Sequence, residues 1–269
     1  MSEICPVCGS TDHHVYYGFV DLNKDFILCH VCQCAFLKNR MTDEEALAWY
    51  RDGSYRERTL KHAPVELELR HQEMRAINIA SYVTGTDIKS HLDIGCSAGA
   101  LLKEVKKQHP GTWSIGVDVD PVYTQYAEGL KIVPSIDYAL GPFDLITLIH
   151  TLEHISNPVP FMEKIASKLS PGGILIVEVP NRRAYLCAYS APEHLIAYEP
   201  HSLKFLLNKV GLNVGLIELQ GHIQASPLDL NVLMLASNDL YKMRDRYPKE
   251  EEQIIPVSLE GKHVILKVR

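Results

Sequence analysis

The stretch that decides the fold is HLDIGCSAG at residues 91–99, together with IGVD at residues 115–118. A short apolar segment runs into glycines, a helix-forming segment follows, and a second apolar segment ends on a carboxylate. This order predicts a βαβ unit that binds a nucleotide. Gly95 and Gly99 let the backbone turn tightly and approach a ligand closely. Asp118, at the carboxyl end of the second predicted strand, is placed to accept hydrogen bonds from two ribose hydroxyls.

The glycine spacing argues against a dinucleotide as the ligand. Dinucleotide loops read G-x-G-x-x-G and seat a pyrophosphate on a helix N-terminus, whereas residues 95–99 read GCSAG and follow Asp93. The Asp93 carboxylate would repel a pyrophosphate but attract the cationic amino group of a methionine moiety. The loop resembles the first motif of class I S-adenosylmethionine-dependent methyltransferases, and Asp118 matches the ribose-binding carboxylate of that family. Ser97 departs from the pattern, because many members carry glycine there.

Two later segments extend the resemblance. FDLITLIH at residues 143–150 is followed at once by TLEHI, and SPGGILIVEVP occupies residues 170–180. Unalternated runs of Ile, Leu and Val fit a parallel sheet covered on both faces, and they disfavour the alternative of a tight turn in an unrelated α/β domain. The series resembles the fourth- and fifth-strand region of the same family, so the resemblance spans about residues 90–212. It implies an α/β fold with a Rossmann-like seven-stranded methyltransferase sheet.

The resemblance also implies a cofactor, S-adenosylmethionine, which leaves as S-adenosylhomocysteine. The residues expected to bind it are Asp93, Gly95, Cys96, Ser97, Gly99, Asp118, Val119 and His150. Methyl transfer from a sulfonium is an in-line displacement, so the protein must chiefly align the nucleophile and exclude water.

Two histidines are candidates for catalysis. His150 follows the fourth predicted strand, where the reacting centre of such a fold lies, whereas the resemblance gives the adjoining Glu153 and His154 an architectural role. The Glu193-His194 pair resembles the segment that small-molecule and sugar methyltransferases place over the substrate. An imidazole titrates near neutral pH, so His194 is a candidate general base, with a hydrogen-bonded structural histidine as the alternative.

The cysteines near the N-terminus predict a metal site. Cys5 and Cys8 form one C-x-x-C pair, and Cys29 and Cys32 form a second after twenty intervening residues, which is within the spacing of a zinc ribbon. Four thiolates leave no position for water, so such a zinc ion is structural. Unrelated free thiols or a redox C-x-x-C are the alternatives, and Cys34 is an alternative ligand to Cys32.

The chain divides into four predicted parts: a zinc ribbon at residues 1–40, a helical connector or lid at 41–85, a methyltransferase core at 86–237 and a C-terminal extension at 238–269. Thr42, with Glu45 three residues later, predicts the first helix start. Within the connector, WYRDGSY at residues 49–55 gathers three aromatics, which either pack between ribbon and core or cover the ligand. Core strands are expected near 91–94, 114–118, 131–133, 143–149 and 173–179, with a helix from about 201, an antiparallel pair at 213–220 and 230–236, and a tail helix (239–247) and strand (263–268).

Charge and composition predict the kind of partner. The net charge is −6 and the pI about 6.1, which gives no general attraction to nucleic acid or to an anionic membrane. Residues 1–40 contain three basic side chains (Lys24, Lys38, Arg40) against four acidic ones (Glu3, Asp12, Asp21, Asp25). The N-terminal segment lacks the features of a signal peptide. We therefore expect a cytoplasmic location and a small-molecule substrate, with neither nucleic acid nor a membrane as partner.

The acceptor stays open at this level. A four-cysteine ribbon ahead of such a core resembles bacterial nucleotide-sugar C-methyltransferases, which usually present a His-Glu-His triplet where this chain has Pro192-Glu193-His194. A sugar or a secondary metabolite, methylated on carbon, oxygen or nitrogen, is therefore the expected substrate class. The alternatives are an RNA methyltransferase that grips its substrate with the ribbon and a non-catalytic scaffold that binds the cofactor.

Overall fold

The computed structural model describes residues 3–19, 24–53, 55, 64–182, 193–221 and 230–237. Its strands form a large sheet of seven and a small sheet of four. Along the chain the elements are β1 (His13–Phe19), β2 (Lys24–Cys29), β3 (Ala35–Leu37), α1 (Asp43–Arg51), α2 (Val65–Ser81), β4 (Ser90–Ile94), α3 (Ala100–Gln108), β5 (Trp113–Val117), α4 (Pro121–Thr124), β6 (Ile132–Val133), β7 (Phe143–Ile149), α5 (Pro158–Ser167), β8 (Leu169–Pro180), β9 (Ile196–Ala197), α6 (Pro200–Lys209), β10 (Asn213–Gly221) and β11 (Leu230–Ser237), with 3₁₀ turns at Ile136–Tyr138 and Leu152–His154.

The large sheet has the order β10-β11-β8-β7-β4-β5-β6. Strands β4 to β8 pair in parallel, and β11 runs antiparallel to both β8 and β10. The predicted Rossmann-like sheet of seven strands is therefore confirmed. Strand β8 begins at Leu169, earlier than the turn-forming Pro-Gly-Gly predicts, because Leu169 already pairs with Phe143. Residues 170–173 of β8 then bulge out before the next pair, Leu145 with Ile174.

Apolar layers cover both faces of this sheet. Because successive side chains of a strand point to opposite faces, Leu145 packs in the cluster with α2 and α3, whereas its neighbour Ile146 packs in the cluster with α5 and α6. Both side chains are fully buried. Burying each such side chain contributes roughly 1.5–3 kcal/mol, which explains why the strands read as continuous apolar runs.

The small sheet joins the cysteine-containing segment to the core. Its order is β1-β2-β3-β9, all antiparallel, so its fourth strand comes from the chain after β8. Phe36 pairs with Ile196, and Leu37 N donates a hydrogen bond to Leu195 O (2.9 Å). A strand of two residues has no detectable period, so the sequence did not indicate this pairing.

The connector contains two helices among its described residues. At the start of α1 a capping box forms, in which Glu45 N donates to Thr42 Oγ1 (3.2 Å) and Thr42 N donates to Glu45 Oε2 (2.7 Å). The rings of Trp49, Tyr50 and Tyr55 cluster with centroids 4.9–5.7 Å apart. The tail helix and strand predicted at residues 238–269 lie outside the described residues. Among the helices described, none has the length and apolar character needed to cross a bilayer.

Candidate functional site

A cavity of about 570 Å³ lies at the carboxyl ends of β4, β5 and β7, which is within the range of small-ligand sites, about 300–1,000 Å³. The predicted cofactor and catalytic residues that line it are Asp93, Gly95, Cys96, Ser97, Asp118, Val119, His150 and His194. Gly99 is not among the lining residues. With φ +73° it precedes α3, and a Cβ there would meet Leu130 Cδ1 at 2.2 Å, so its smallness allows the loop to pack.

The glycine loop is held in a conformation that few side chains tolerate. Gly95 has φ +77°, and a Cβ at this position would lie 2.1 Å from Thr151 Oγ1. Ser97 also has a positive φ, +50°, which accounts for the glycine that many relatives of this motif carry there. Its hydroxyl accepts a hydrogen bond from Gln72 Nε2 of α2 (3.1 Å). The connector therefore contacts the loop directly.

Asp118 is fixed at the end of β5 by two backbone amides. Ser97 N donates to Oδ2 (2.7 Å) and Asp120 N donates to Oδ1 (2.8 Å). Burial raises the pKa of the Asp118 carboxyl, against the opposing effect of those amides. Each carboxylate oxygen accepts more than one hydrogen bond, so Asp118 keeps acceptor capacity for a ligand. Asp120, which the sequence reasoning missed, lines the same wall and caps α4 ahead of Pro121, a recognisable N-cap signal.

Asp93 ends a buried hydrogen-bond relay that the sequence reasoning also missed. Thr147 Oγ1 donates to Asp93 Oδ1 (2.7 Å), so it accepts from His91 Nε2 (2.9 Å). Burial lowers the pKa of His91 to about 3, which keeps the imidazole neutral with its proton on Nε2. Burial likewise raises the pKa of Asp93 to about 7, although the Thr147 hydroxyl opposes this shift. Polar residues within otherwise apolar strands, His91 in β4 and Thr147 in β7, were the sequence signals of this relay.

His150 follows β7 and lies between two buried glutamates. It has φ +51°, and its Nε2 and Nδ1 lie 3.1 Å from Glu178 Oε1 and 3.4 Å from Glu153 Oε1. Burial and Arg75 lower the pKa of His150, but the two glutamates outweigh them and leave it raised. Asn231 Nδ2 of β11 also donates to Glu178 Oε1 (2.7 Å). This arrangement fixes the ring at the edge of the cavity.

His194 belongs to a cluster with Glu153 and His154. One ligand atom from each of the three side chains lies within 4.8 Å of the others, and the His154 and His194 ring centroids are 5.1 Å apart. Leu195 N donates to Glu153 O (2.8 Å), which ties this segment to the turn after β7. Tyr50 Oη lies 3.0 Å from His154 Nδ1, so the aromatic connector also reaches this end of the cavity. The sequence reasoning singled out His194 but gave its two neighbours no chemical role.

The thiols of the small sheet form a second cluster. The Sγ atoms of Cys5, Cys8, Cys29 and Cys32 lie within 4.8 Å of one another, with Cys5–Cys32 at 3.5 Å and Cys8–Cys29 at 3.4 Å. A tetrahedral ion with bonds of about 2.3 Å needs sulfurs about 3.8 Å apart, so the set fits such an ion. Hydrogen bonds from Cys32 and Cys34 lower the pKa of Cys5, while burial raises that of Cys8 to about 11.

Cys34 stands beside this set as a fifth thiol. Its Sγ lies 3.5 Å from Cys5 and 3.4 Å from Cys32. The sequence spacing left Cys32 and Cys34 as alternative ligands, and in the structure both thiols contact Cys5 at the same distance.

Comparison with known proteins agrees with this architecture. A family model described as a methyltransferase domain matches residues 54–216, more than half of the chain. A ubiquinone biosynthesis O-methyltransferase from Colwellia psychrerythraea is 28% identical over 142 residues, which cover 46% of this chain and 58% of that protein. The chain thus spans little more than half the length of this relative.

Two solved structures share the fold. The plantazolicin methyltransferase BpumL, in complex with a monoazolic desmethylPZN analog and SAH, superposes with a TM-score of 0.54 at 16% identity, and the match covers 72% of this chain and 94% of that one. A SAM-dependent methyltransferase from Thermotoga maritima, described as a possible histamine N-methyltransferase, has a TM-score of 0.52 at 15% identity and covers 71% and 98%. With its matching sheet order, glycine loop and family model, the chain belongs to the methyltransferase domain family.

Proposed function

We propose that this chain transfers a methyl group from S-adenosylmethionine to a hydroxyl oxygen of a small molecule. The observation that carries the proposal is a single cavity whose lining includes both Asp93 and Asp118 at the strand ends and the side chains of His150, Glu153 and His194. A cofactor and an acceptor bound there would be neighbours, as in-line transfer requires. The ubiquinone biosynthesis O-methyltransferases among the relatives support oxygen as the accepting atom.

The strand-end wall fits an adenosyl sulfonium with an amino-acid tail. We assign the ribose hydroxyls to the remaining acceptor capacity of Asp118 and the amino group to Asp93, whose orientation the His91–Thr147 relay fixes. Gly95 allows the ligand to approach the backbone. When bound, the cofactor would supply an electrophilic methyl carbon on a cationic sulfur, with the neutral thioether as the leaving group.

We assign the acceptor to the histidine-lined part of the cavity. A hydroxyl is a weak nucleophile until it loses its proton, and a positioned group that promotes this loss contributes about 10²–10⁴-fold to the rate. His194, predicted as a general base, lies here beside Glu153 and His154. Tyr50 and Tyr55 line the same cavity, and we assign them to covering the acceptor and excluding water.

We also propose that Cys5, Cys8, Cys29 and Cys32 hold a structural zinc ion. Support comes from the mutual proximity of four thiols on two turns of the small sheet. An ion with four thiolate ligands would have no open position and therefore no part in the chemistry. Its role would be to stabilise β1–β3, and through β3–β9 pairing to position the segment that carries His194.

The volume of the cavity and the charge of the N-terminal segment favour a small acceptor over RNA. The cavity of about 570 Å³ must accommodate the cofactor as well as the acceptor. Residues 1–40 carry no excess of basic side chains to bind phosphates. A sugar and a phenol both satisfy these limits, so the acceptor panel must contain both.

The test is ligand binding followed by methyl transfer. Isothermal titration should detect both S-adenosylmethionine and S-adenosylhomocysteine, and Asp118→Ala should weaken binding about 10- to 100-fold through lost charge-assisted hydrogen bonds. Labelled S-adenosylmethionine is then offered with catechols, keto-sugar nucleotides and bulk RNA. We expect label in a hydroxylated small molecule. Absence of cofactor binding at millimolar concentration would refute the proposed function, cofactor binding without transfer to any acceptor would favour the scaffold, and label found mainly in RNA would refute a small acceptor.

A further inference from the structure

We propose that Glu153, His154 and His194 bind a divalent transition-metal cation at the acceptor end of the cavity. The three side chains come from two segments that lie about forty residues apart, the turn after β7 and the strand-entry segment before β9. One ligand atom of each lies within 4.8 Å of the others, and all three residues line the cavity. This site is separate from the four-thiol cluster of the small sheet.

The buried carboxylate of Glu153 is the first reason. The residue is only 2% exposed, yet neither oxygen makes a hydrogen bond of good geometry with the residues that the structure describes. Its nearest polar neighbours are His150 Nδ1 at 3.4 Å and His154 Nε2 at 3.9 Å from Oε1. Burying a carboxylate is costly unless it is paired and hydrogen-bonded, or coordinates a metal. The long contact to His150 Nδ1 leaves the carboxylate without a hydrogen bond of good geometry, and a cation among these side chains would supply a direct ligand contact.

The tautomer of His154 is the second reason. Its Nδ1 lies 3.0 Å from both Glu193 O and Tyr50 Oη; the carbonyl can only accept and the hydroxyl can accept, so a proton on Nδ1 satisfies both contacts. In the neutral ring the lone pair is then on Nε2, the atom that faces Glu153 Oε1. Metal-binding histidines characteristically donate their other N–H to a carbonyl or carboxylate in this way, which fixes the orientation of the ring.

The geometry needs only a small closure. Ligand bonds of about 2.0–2.2 Å place neighbouring ligand atoms about 3–3.5 Å apart. The observed separations of up to 4.8 Å close to that value through side-chain rotations of about an ångström. His194 is half-buried in the wall of the cavity, so its ring has the space to make this movement.

The ligand set indicates the class of ion. Two imidazole nitrogens with one carboxylate suit Mn²⁺, Fe²⁺, Co²⁺ or Zn²⁺, whereas Mg²⁺ favours oxygen ligands and water. Three protein ligands leave a coordination position open. Because all three side chains line the cavity that we assign to the acceptor, this position would be accessible from it.

The inference deepens the proposed function and rests on it for the use of the ion. An acceptor hydroxyl bound at the open position would lose its proton to solvent at a lower pH, because the cation stabilises the oxyanion. His194 would then act as a ligand that positions the ion. The predicted general base would not be needed, because the metal-bound hydroxyl loses its proton to solvent. Binding of the ion itself can be measured without any methyl transfer.

The experiment titrates the full-length protein, with its zinc content measured beforehand, with Mn²⁺ and follows the loss of the free Mn²⁺ signal by electron paramagnetic resonance. Mn²⁺ prefers oxygen and nitrogen ligands to thiolates, so the four-cysteine cluster should not contribute. We expect one Mn²⁺ per chain in the wild type. Loss of one ligand in His194→Gln or Glu153→Gln should weaken binding by about 100-fold or more, since even losing an outer-shell partner costs about 10–100-fold.

The controls are His201→Gln and Glu163→Gln, which alter exposed side chains on α6 and α5 and should leave Mn²⁺ binding unchanged. Circular dichroism shows whether each variant is folded, and His194→Gln, whose residue is less buried, carries the test if Glu153→Gln does not fold. No Mn²⁺ binding up to millimolar concentration, or equal binding in wild type and His194→Gln, would overturn the inference. If the protein binds the cofactor and transfers methyl groups without a metal ion, the metal inference fails and the proposed function stands. If the protein binds Mn²⁺ but not the cofactor, the metal site stands and the proposed function fails.

Discussion

Replacing Gly95 by alanine tests the physical account of the glycine loop. The residue has φ +77°, and holding an L-residue in the left-handed region costs roughly 1–2 kcal/mol. The new Cβ would lie 2.1 Å from Thr151 Oγ1, which at present donates a hydrogen bond to Ile94 O (3.0 Å). Displacing that hydroxyl forfeits about 1 kcal/mol and adds strain of similar size. We therefore expect Gly95→Ala to lower the free energy of unfolding by about 3–4 kcal/mol.

Two matched glycines separate the two contributions. Gly85 has φ +75° with no atom within 4 Å of an added Cβ, so Gly85→Ala measures the backbone cost alone, about 1–2 kcal/mol. Gly111 has neither a positive φ nor a close neighbour, so Gly111→Ala should change stability by less than about 0.5 kcal/mol. The double variant Gly95→Ala with Thr151→Ala should recover part of the loss, because it removes the atom in closest contact.

The assays are thermal unfolding and titration with S-adenosylhomocysteine. For a chain of this size the expected loss corresponds to a melting temperature lower by about 5–15 °C. Gly95→Ala should also lose cofactor affinity, because Thr151 lines the cavity, whereas Gly85→Ala should keep it. If Gly95→Ala were no less stable than Gly85→Ala, the steric part of the reasoning would be refuted.

Three further predictions concern the two ends of the site. Asp118→Asn should weaken S-adenosylhomocysteine binding about as much as Asp118→Ala, because both carboxylate oxygens accept backbone amides and an Asn amide nitrogen would face one of them; wild-type affinity by calorimetry would contradict this. The pKa of Asp93, raised by burial to about 7, makes the free protein bind a proton below that pH, whereas the amino group of the ligand requires the carboxylate. Affinity for S-adenosylhomocysteine should therefore fall towards 10-fold per pH unit below pH 7 and level off above it, and Asp93→Asn should abolish this slope. Finally, Cys8→Ser or removal of the zinc should unfold β1–β3 while preserving S-adenosylhomocysteine binding, yet reduce methyl transfer, because Leu37 no longer holds Leu195 beside His194; equal loss of both would show that the small sheet supports the whole core.

Local patterns in the sequence were enough to predict the fold class. Unalternated apolar runs such as residues 143–149 imply strands buried on both faces, and the observed sheet buries them so. The glycine at position 95 is a local requirement as well, because its positive φ follows from the sharp turn between β4 and α3. The two C-x-x-C pairs predicted a shared four-thiol site, because each pair lies on a turn of a few residues that presents two thiols together. The four Sγ atoms do lie within 4.8 Å of one another.

The tertiary structure alone decided which side chains meet. Thr147 and His91 orient Asp93 across strands separated by more than fifty residues, and no periodicity records such a hydrogen bond. Glu153 and His154 read as part of a turn until the pairing of β3 with β9 brings His194 against them. Backbone sterics and the alternation of side chains along a strand act over a few residues, so they can be predicted from the sequence. Contacts between distant segments depend on how whole layers pack, so they cannot.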